Sequence, residues 1–582
     1  MRTLARWLLI LLAVIGIVAT AAVIAVVFLV KHAEPNKVAV HTGDYLVVDF
    51  DRGIANQAPR DAIEAVSQGK AYLFSDLVTA LRRGAADPKI AGLAAHLGSG
   101  KISAASAMEL AEAVADFQKV GKKTFLFSES LDSGPSAVAL ATAFQQVWMQ
   151  PSGLVGLRGV AIESPFLRQG LAEWGIRAEI IQRYEYKSAM DFLSRDEMSP
   201  PVRENLQRLI DDVSASLTDR IAVQRGLDPS AVRALAQRGP LLAKEAIDAK
   251  LLDRLAYGAE FQAALASAFP GKPIQADAYT ATAEPTNTDI KIALVQAAGQ
   301  IVPGDAEFEP LQEDAMMGAR TVAQAIRDAA KTEGVRAIIL RLDTPGGDYA
   351  ASDTIREAIV AARHANVPVI VSMGDMAASG GYFIASAAET VIAGDATITG
   401  SIGVIAGKIV LEDAWNKLGV RWATLKTGDT AAMWSPNHGF TPTERARLDA
   451  IIDAAYADFT GKVGTDRKLS AEAVDKVARG RVWSGKTAKQ LGLVDDTGGL
   501  LKALAYAKRS AGIPAERIPT VINFPRQKSI TETLMDYMGG DGNREIAQMT
   551  ARPLPEPLGT IARWMRLDLE HGAAIMPPLV LR

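Results

Sequence analysis

Hydrophobic positions along the chain fall into three patterns. The first is an uninterrupted apolar run at residues 7–30, WLLILLAVIGIVATAAVIAVVFLV, which carries no charge. At about 1.5 Å per residue the run is roughly 36 Å long, enough to cross a hydrocarbon core of about 30 Å. A cleaved leader usually has an apolar stretch of only about 7–15 residues, so the run predicts an uncleaved transmembrane anchor. Arg2 and Arg6 precede it and Lys31 and Lys37 follow it, which predicts a cytoplasmic N-terminus with the bulk of the chain outside. The second pattern is the short apolar run bounded by turn residues: YLVVDF from Tyr45, KIALVQA from Lys291, VRAIILRL at 335–342 and VPVIVS at 367–372. Such runs predict strands, and the one at 335–342 suits burial on both faces. The third has helical period, as at 350–365, and its alternation with the strands predicts an α/β chain.

The patterns recur. Gly175-Ile176-Arg177 and Gly419-Val420-Arg421 both follow an amphipathic stretch, 244 positions apart. The same offset carries VWMQPSGLVGLRGV (147–160) onto VIAGDATITGSIGV (391–404), and Ser128 onto Ser372. AKLLD at 249–253 resembles LGLVD at 491–495 at an offset of 242, as a small deletion would produce. A chain of 582 residues is too long for one core, and the offset divides it into tandem α/β domains. The expected organisation is a cytoplasmic segment 1–6, an anchor 7–30, a linker 31–44, repeats at 45–285 and 286–523, and a tail 524–582.

Composition narrows the chemistry. The net charge of −3 gives no reason to expect a nucleic-acid partner, and no GxxxxGK[ST] motif points to a nucleotide. With no cysteine, any nucleophile is an oxygen or an amine. No histidine pair has ligand spacing, so neither a metal nor another cofactor is expected. One serine stands out. Ser379, in MAASGGYFIASAA, sits where a strand, a loop and a helix meet, and is either a helix cap or a nucleophile. A serine nucleophile needs a base, and none of the six histidines has a suggestive setting, although sequence distance alone excludes none of them. The other candidate is an amine. By the 244 offset Ser379 falls on Pro135, while Lys187, in RYEYKSAMDF, falls on Ala431. A lone lysine is usually a solvated charge; here each half lacks what the other keeps, which points to one composite centre per chain.

MAASGGYFIASAA, YKSAMDFL, TPGGD and TGSIGV, in combination, resemble the signal peptide peptidase A family in its long tandem-repeat form, over about residues 45–510. The resemblance implies two crotonase-like, Clp-protease-like domains built as a spiral of ββα units. It implies Ser379 as nucleophile, Lys187 as general base and Ser401 as the hydroxyl that orients the lysine. The amides of Gly380 and of Gly346 or Gly347 would form the oxyanion hole. It further implies cleavage of remnant signal peptides, assembly as a homotetramer, and a place in the bacterial inner membrane with the catalytic part on the periplasmic side. The chain departs from the family at Asp343-Thr344, where Asn-Ser commonly precedes the glycine turn. The competing expectations are a crotonase-like acyl-CoA hydratase or hydrolase and an inactive membrane scaffold.

Overall fold

The computed structural model describes residues 38–57, 71–281, 289–305, 316–514, 517, 519–525, 573–575 and 580–581. The expected anchor at 7–30 lies outside the described residues, as does most of the tail. Among the described residues no helix is long and apolar enough to cross a membrane.

Two α/β repeats follow one another. In the first, β1 (Asp44–Asp49), β2 (Ile90–His96), α1 (Ala104–Lys119), β3 (Lys123–Ser128), α2 (Pro135–Ala141) and β4 (Gln146–Met149) form a parallel sheet with its helices. Strand β5 (Arg177–Arg183) and the long helix α3 (Pro200–Arg225) come next. The second repeat has β6 (Lys291–Ala298), β7 (Gln300–Val302), β8 (Val335–Thr344), β9 (Gly346–Asp348) and α4 (Tyr349–His364). It continues with β10 (Val369–Ala378), α5 (Gly380–Ser386), β11 (Thr390–Ala393), β12 (Ile398–Gly400), β13 (Val404–Val410) and α6 (Pro442–Arg467). A short strand from the tail, β14 (Ala573–Ile575), also belongs to this repeat's sheets.

The unbroken apolar runs have a packing explanation. In β8, Ile338, Leu340 and Leu342 face one core, shared with α4 and α5, while Ala337 and Ile339 face another, under residues 500–513. Both faces are covered, so no polar alternation is needed. Helix α4 begins where Asp348 caps it, the carboxylate accepting from the amide of Ala351 at 2.6 Å, and it ends with Arg363 and His364 in the last turn.

Strand β10 runs well past the predicted end at Ser372. It pairs with β8 as far as Leu342↔Met373, slips, and resumes at Thr344↔Ala377. The bulge consists of Gly374, Asp375 and Met376, and its polar centre is why the continuation was illegible in the apolar pattern. The element boundaries also shift the alignment at one corner. Pro135 opens α2 as Gly380 opens α5, so the residue matching Ser379 is Gly134, not Pro135.

The repeats are joined by β5, which pairs antiparallel with β13 of the second repeat through seven partners, from Val404↔Arg183 to Val410↔Arg177. The resulting sheet runs Met316–Gly318, β7, β9, β14, β13, β5. Strand β5 thus leaves its own repeat's sheet and carries the following loop across to the other.

Candidate active site

Ser379 closes β10 and caps α5 with φ 57° and ψ −115°, a conformation costing of order 1–3 kcal/mol for a residue with a Cβ. The surroundings hold it there. Its amide donates to the carbonyl of Gly400 at 2.8 Å, and its own carbonyl accepts from Phe383. Glycine is required two residues on, at Gly381, because a Cβ there would lie 2.5 Å from Cγ2 of Thr344 in the glycine turn.

Four residues beyond β5, Lys187 reaches this corner within the same chain. Its Nζ donates to Ser379 Oγ at 2.5 Å, to the Ser401 carbonyl at 3.0 Å and to Ser401 Oγ at 3.1 Å. Lys187 and Ser379 are both 0% exposed. Burial holds the lysine amine well below its ordinary value. Among the described residues no carboxylate pairs with it, so nothing offsets the desolvation of an ammonium.

The lysine is seated by glycines that sequence reasoning did not single out. A Cβ on Gly480 (φ +88°) would fall 2.3 Å from Lys187 N and 2.6 Å from its Cα, and one on Gly403 would lie 3.1 Å from Lys187 Cδ. The loop is further tied by Arg479, whose guanidinium meets Glu185 at 3.0 Å and whose carbonyl accepts from Tyr186. From α3, the Asn205 amide clamps Val482 by two bonds of 2.8 and 2.9 Å. The only sequence signals were a Gly and an Arg in RGR at 479–481, almost 300 positions from the lysine they support. Ser401 also has positive φ (51°), and its amide donates to the Arg481 carbonyl at 2.6 Å.

Gly346 and Gly347 form the short strand β9 beside the corner. Gly346 has φ +106°, and its amide donates to Thr344 Oγ1 at 3.1 Å. Gly347 passes so close to β7 that a Cβ would meet the Ile301 carbonyl at 2.0 Å. On the other side of β9, the tail strand β14 pairs antiparallel, Gly346↔Ile575 to Asp348↔Ala573, and touches β13 at Ile405↔Ala573. Without β14, β9 and β13 would border a slot one strand wide.

The described histidines lie elsewhere. His96 bonds Asp49 and Glu129 at 3.1 and 2.7 Å, and His438 bonds the Gly439 carbonyl. Asp49, Asp51 and His96 bring metal-ligand atoms within 4.8 Å of one another at the strand ends of the first repeat, a grouping not expected from the sequence.

A buried serine at a strand-to-helix corner, facing a buried lysine and a glycine turn, is the arrangement of a serine hydrolase with an amine partner. Peptidase family S49 matches residues 117–269 and again 361–514, together more than half of the chain. The chain belongs to this family, that of signal peptide peptidase A, and is a serine peptidase. Protease 4 of Salmonella typhi is 30% identical over 519 residues, covering 86% of this chain and 82% of its own. The chloroplastic serine protease SPPA of Arabidopsis thaliana is 29% identical over 489 residues, covering 80% and 69%. A ClpP1 mutant from Listeria monocytogenes, 17% identical, overlays 37% of this chain and 94% of its own with a TM-score of 0.24, too slight a likeness to bear on the fold.

Proposed function

We propose that this peptidase is a membrane-anchored endopeptidase with a Ser/Lys dyad that degrades cleaved signal peptides at the membrane. The observation that carries the reading is the 2.5 Å contact of Lys187 Nζ with Ser379 Oγ inside a fully enclosed corner. An amine kept neutral by burial takes the hydroxyl proton as Oγ attacks the peptide carbonyl. The resulting ammonium returns that proton to the leaving amine, and the neutral amine then activates water against the acyl-enzyme. Ser401, bonded through both its carbonyl and its hydroxyl, fixes the direction of the lysine. The amides of Gly380 and of Gly346 or Gly347 receive the oxyanion; Gly346 does so by exchanging its bond to Thr344 Oγ1. One such donor is worth roughly 3 kcal/mol of transition-state stabilisation.

Substrate lies in the slot between β9 and β13, extended and antiparallel to both, as β14 now does. Main-chain bonds on two sides favour unfolded, extended peptides over folded ones, and apolar pockets favour Leu-, Ala- or aromatic-rich segments such as signal peptides. The run at 7–30 anchors the chain in a bacterial inner membrane with the repeats on the periplasmic side. The fold proposed for the two repeats is the one that the family resemblance implies, a crotonase-like, Clp-protease-like spiral of ββα units.

The repeat also supports an assembly. The second-repeat counterpart of β5 is 421–427, which forms no strand and leaves Trp422 and Leu425 56% and 100% exposed. The first-repeat counterpart of β13 is 160–166, of which only Ile162–Glu163 is a strand, paired with Val580–Leu581. Residues 421–427 of one copy pairing with 160–166 of the next repeats the β5–β13 contact between chains. A head-to-tail interface closes into a ring where its rotation allows, and the assembly proposed here is a ring of four copies, the number that the family resemblance implies. The central test is digestion of a synthetic signal peptide by detergent-solubilised full-length protein. Ser379→Ala lowers the rate by about 10⁴-fold or more; cleavage that persists in this variant defeats the assignment.

A further inference from the structure

The departure at Asp343 has structural surroundings that the dyad does not use. Asp343 is the single β8 residue opposite the three-residue bulge in β10, and there its side chain replaces the missing strand partner: Oδ1 accepts from the Met376 amide at 3.0 Å. The fit is tight, since a Cβ on Gly374 would lie 2.9 Å from Asp343 Cβ. Three residues after Met376 the strand delivers Ser379.

The same cluster is a seam between the repeats. Asn56 of the first repeat donates to Asp343 Oδ2. Asp375, in the bulge, accepts from the first-repeat residues Ser103 and Ser106 at the start of α1, with the Ser106 amide and hydroxyl at 3.1 and 2.8 Å. Arg341, two residues before Asp343, meets Glu109 of α1 at 3.0 Å and donates to Ser372 Oγ at 2.9 Å. The charged groups facing Asp343 are therefore Asp375 from β10 and Arg341 from β8, the latter already engaged by Glu109 from α1.

We propose that Asp343 is a positioning residue for the Ser379–Lys187 pair: its carboxyl pins the bulge that aims β10 at the nucleophile corner and seats the lysine-bearing repeat against the serine-bearing one. Its protonation then matters. Burial, and next the charge of Asp375, push the Asp343 carboxyl up to about 7. Below that pH the Asp343 carboxyl is neutral; above it, the carboxylate repels Asp375 on the same side of the seam, which strains the bulge and loosens the contacts both side chains make to the first repeat. Asparagine keeps the acceptor for Met376 without the charge, whereas alanine keeps neither.

The inference rests on the dyad assignment, so its test has one arm that reads catalysis and one that does not. In the first, kcat/KM for a fluorogenic peptide is followed from pH 5 to 10. Wild type declines on an alkaline limb beginning near pH 7. Asp343→Asn and Asp375→Asn lose that limb and exceed wild type several-fold at pH 9, with the acid limb retained. Asp343→Ala lowers kcat about tenfold at every pH with little change in KM. In the second arm, thermal midpoints of wild type and Asp343→Asn are compared without substrate. An unfolded aspartate ionises near 3.9, so wild type loses stability relative to Asp343→Asn as pH rises from about 4 to 7, and the difference is level beyond. An unchanged alkaline limb in Asp343→Asn, an Asp343→Ala enzyme equal to wild type, or a midpoint difference that ignores pH would each overturn the proposal. Persistence of cleavage in Ser379→Ala would instead remove the dyad and leave the thermal comparison standing.

Discussion

The strand-to-helix corner occurs in both repeats, and the two copies have diverged in opposite senses. At Ser379 the corner is built around a side chain: positive φ, a bond from its amide to Gly400, a glycine behind it and an amine in front. At Gly134 the same turn survives, with φ 120°, but a Cβ there would meet nothing within 4 Å. The turn is a property of the fold, while the enclosure is a property of the site. The loops after the matching strands differ likewise. Residues 184–187 cross to the other repeat and bury an amine, whereas 428–431 end in Ala431 on the exposed side of the second repeat. A duplicated fold therefore supplies two scaffolds, and the centre exists only where the first repeat's loop meets the second repeat's corner.

The largest expected effect comes from the amine. Lys187→Met has the length to fill the same channel and should abolish peptide cleavage, by about 10⁴-fold or more, with no further loss when combined with Ser379→Ala. It should also make the protein more stable. A lysine whose pKa is depressed on folding binds fewer protons folded than unfolded. Wild type thus gives up stability as pH falls from the unfolded value of about 10.4 toward the folded one. Thermal midpoints should place Lys187→Met above wild type at pH 7, the gap closing above about pH 10. A variant less stable than wild type at neutral pH would mean that the lysine is not desolvated as its enclosure requires.

Next in size is a change at a residue touching no substrate. Gly480→Ala puts a methyl within about 2.3–2.7 Å of Lys187 N, Cα and Cβ at a backbone conformation unsuited to alanine. The lysine loop must shift, and displacements of about 1 Å at a reacting group cost on the order of 10²-fold in rate. Gly134→Ala, at the matched but empty corner, serves as the comparison and should leave kcat within about twofold. Equal rates for both variants would remove the argument that packing at Gly480 sets the dyad.

What the sequence made legible, and what it did not, follows the same division. The strand at 335–342 was readable because both its faces are covered, and Ser379 and Lys187 because the repeat exposed their complementary loss. The alignment missed by one residue at Pro135, since glycine and serine share the cap position there and only the helix starts fix the register. The bulge in β10, the seats provided by Gly403 and Gly480, and the seam at Asp343, Asp375 and Ser106 were not readable. Each depends on contacts between residues far apart in the chain, which leave no periodicity behind. The short strand β14 was equally hidden, because pairing to β9 and β13 is made by backbone groups that every residue carries.

The smallest effect on catalysis should come from the other asymmetric pair of segments. Residues 177–183 gain their order from β13, and their counterparts at 421–427 have no strand partner among the described residues; Leu425 is fully exposed, and the half-exposed Trp422 meets Trp415 edge-on, ring centres 5.8 Å apart. Placing a charge in that stretch with Leu425→Asp costs the folded chain little, because the side chain touches solvent already. In a head-to-tail ring the same carboxylate would be desolvated against the neighbouring copy, at a cost of several kcal/mol. Light scattering of the detergent-solubilised protein should therefore show Leu425→Asp as a smaller particle than wild type at equal concentration, with an unchanged thermal midpoint for the isolated chain. Because Lys187 and Ser379 meet within one chain, hydrolysis of a short fluorogenic peptide should stay within about twofold. A parallel collapse of assembly and short-peptide hydrolysis would show that the neighbouring copy completes the site, and that the two repeats of a single chain are not enough.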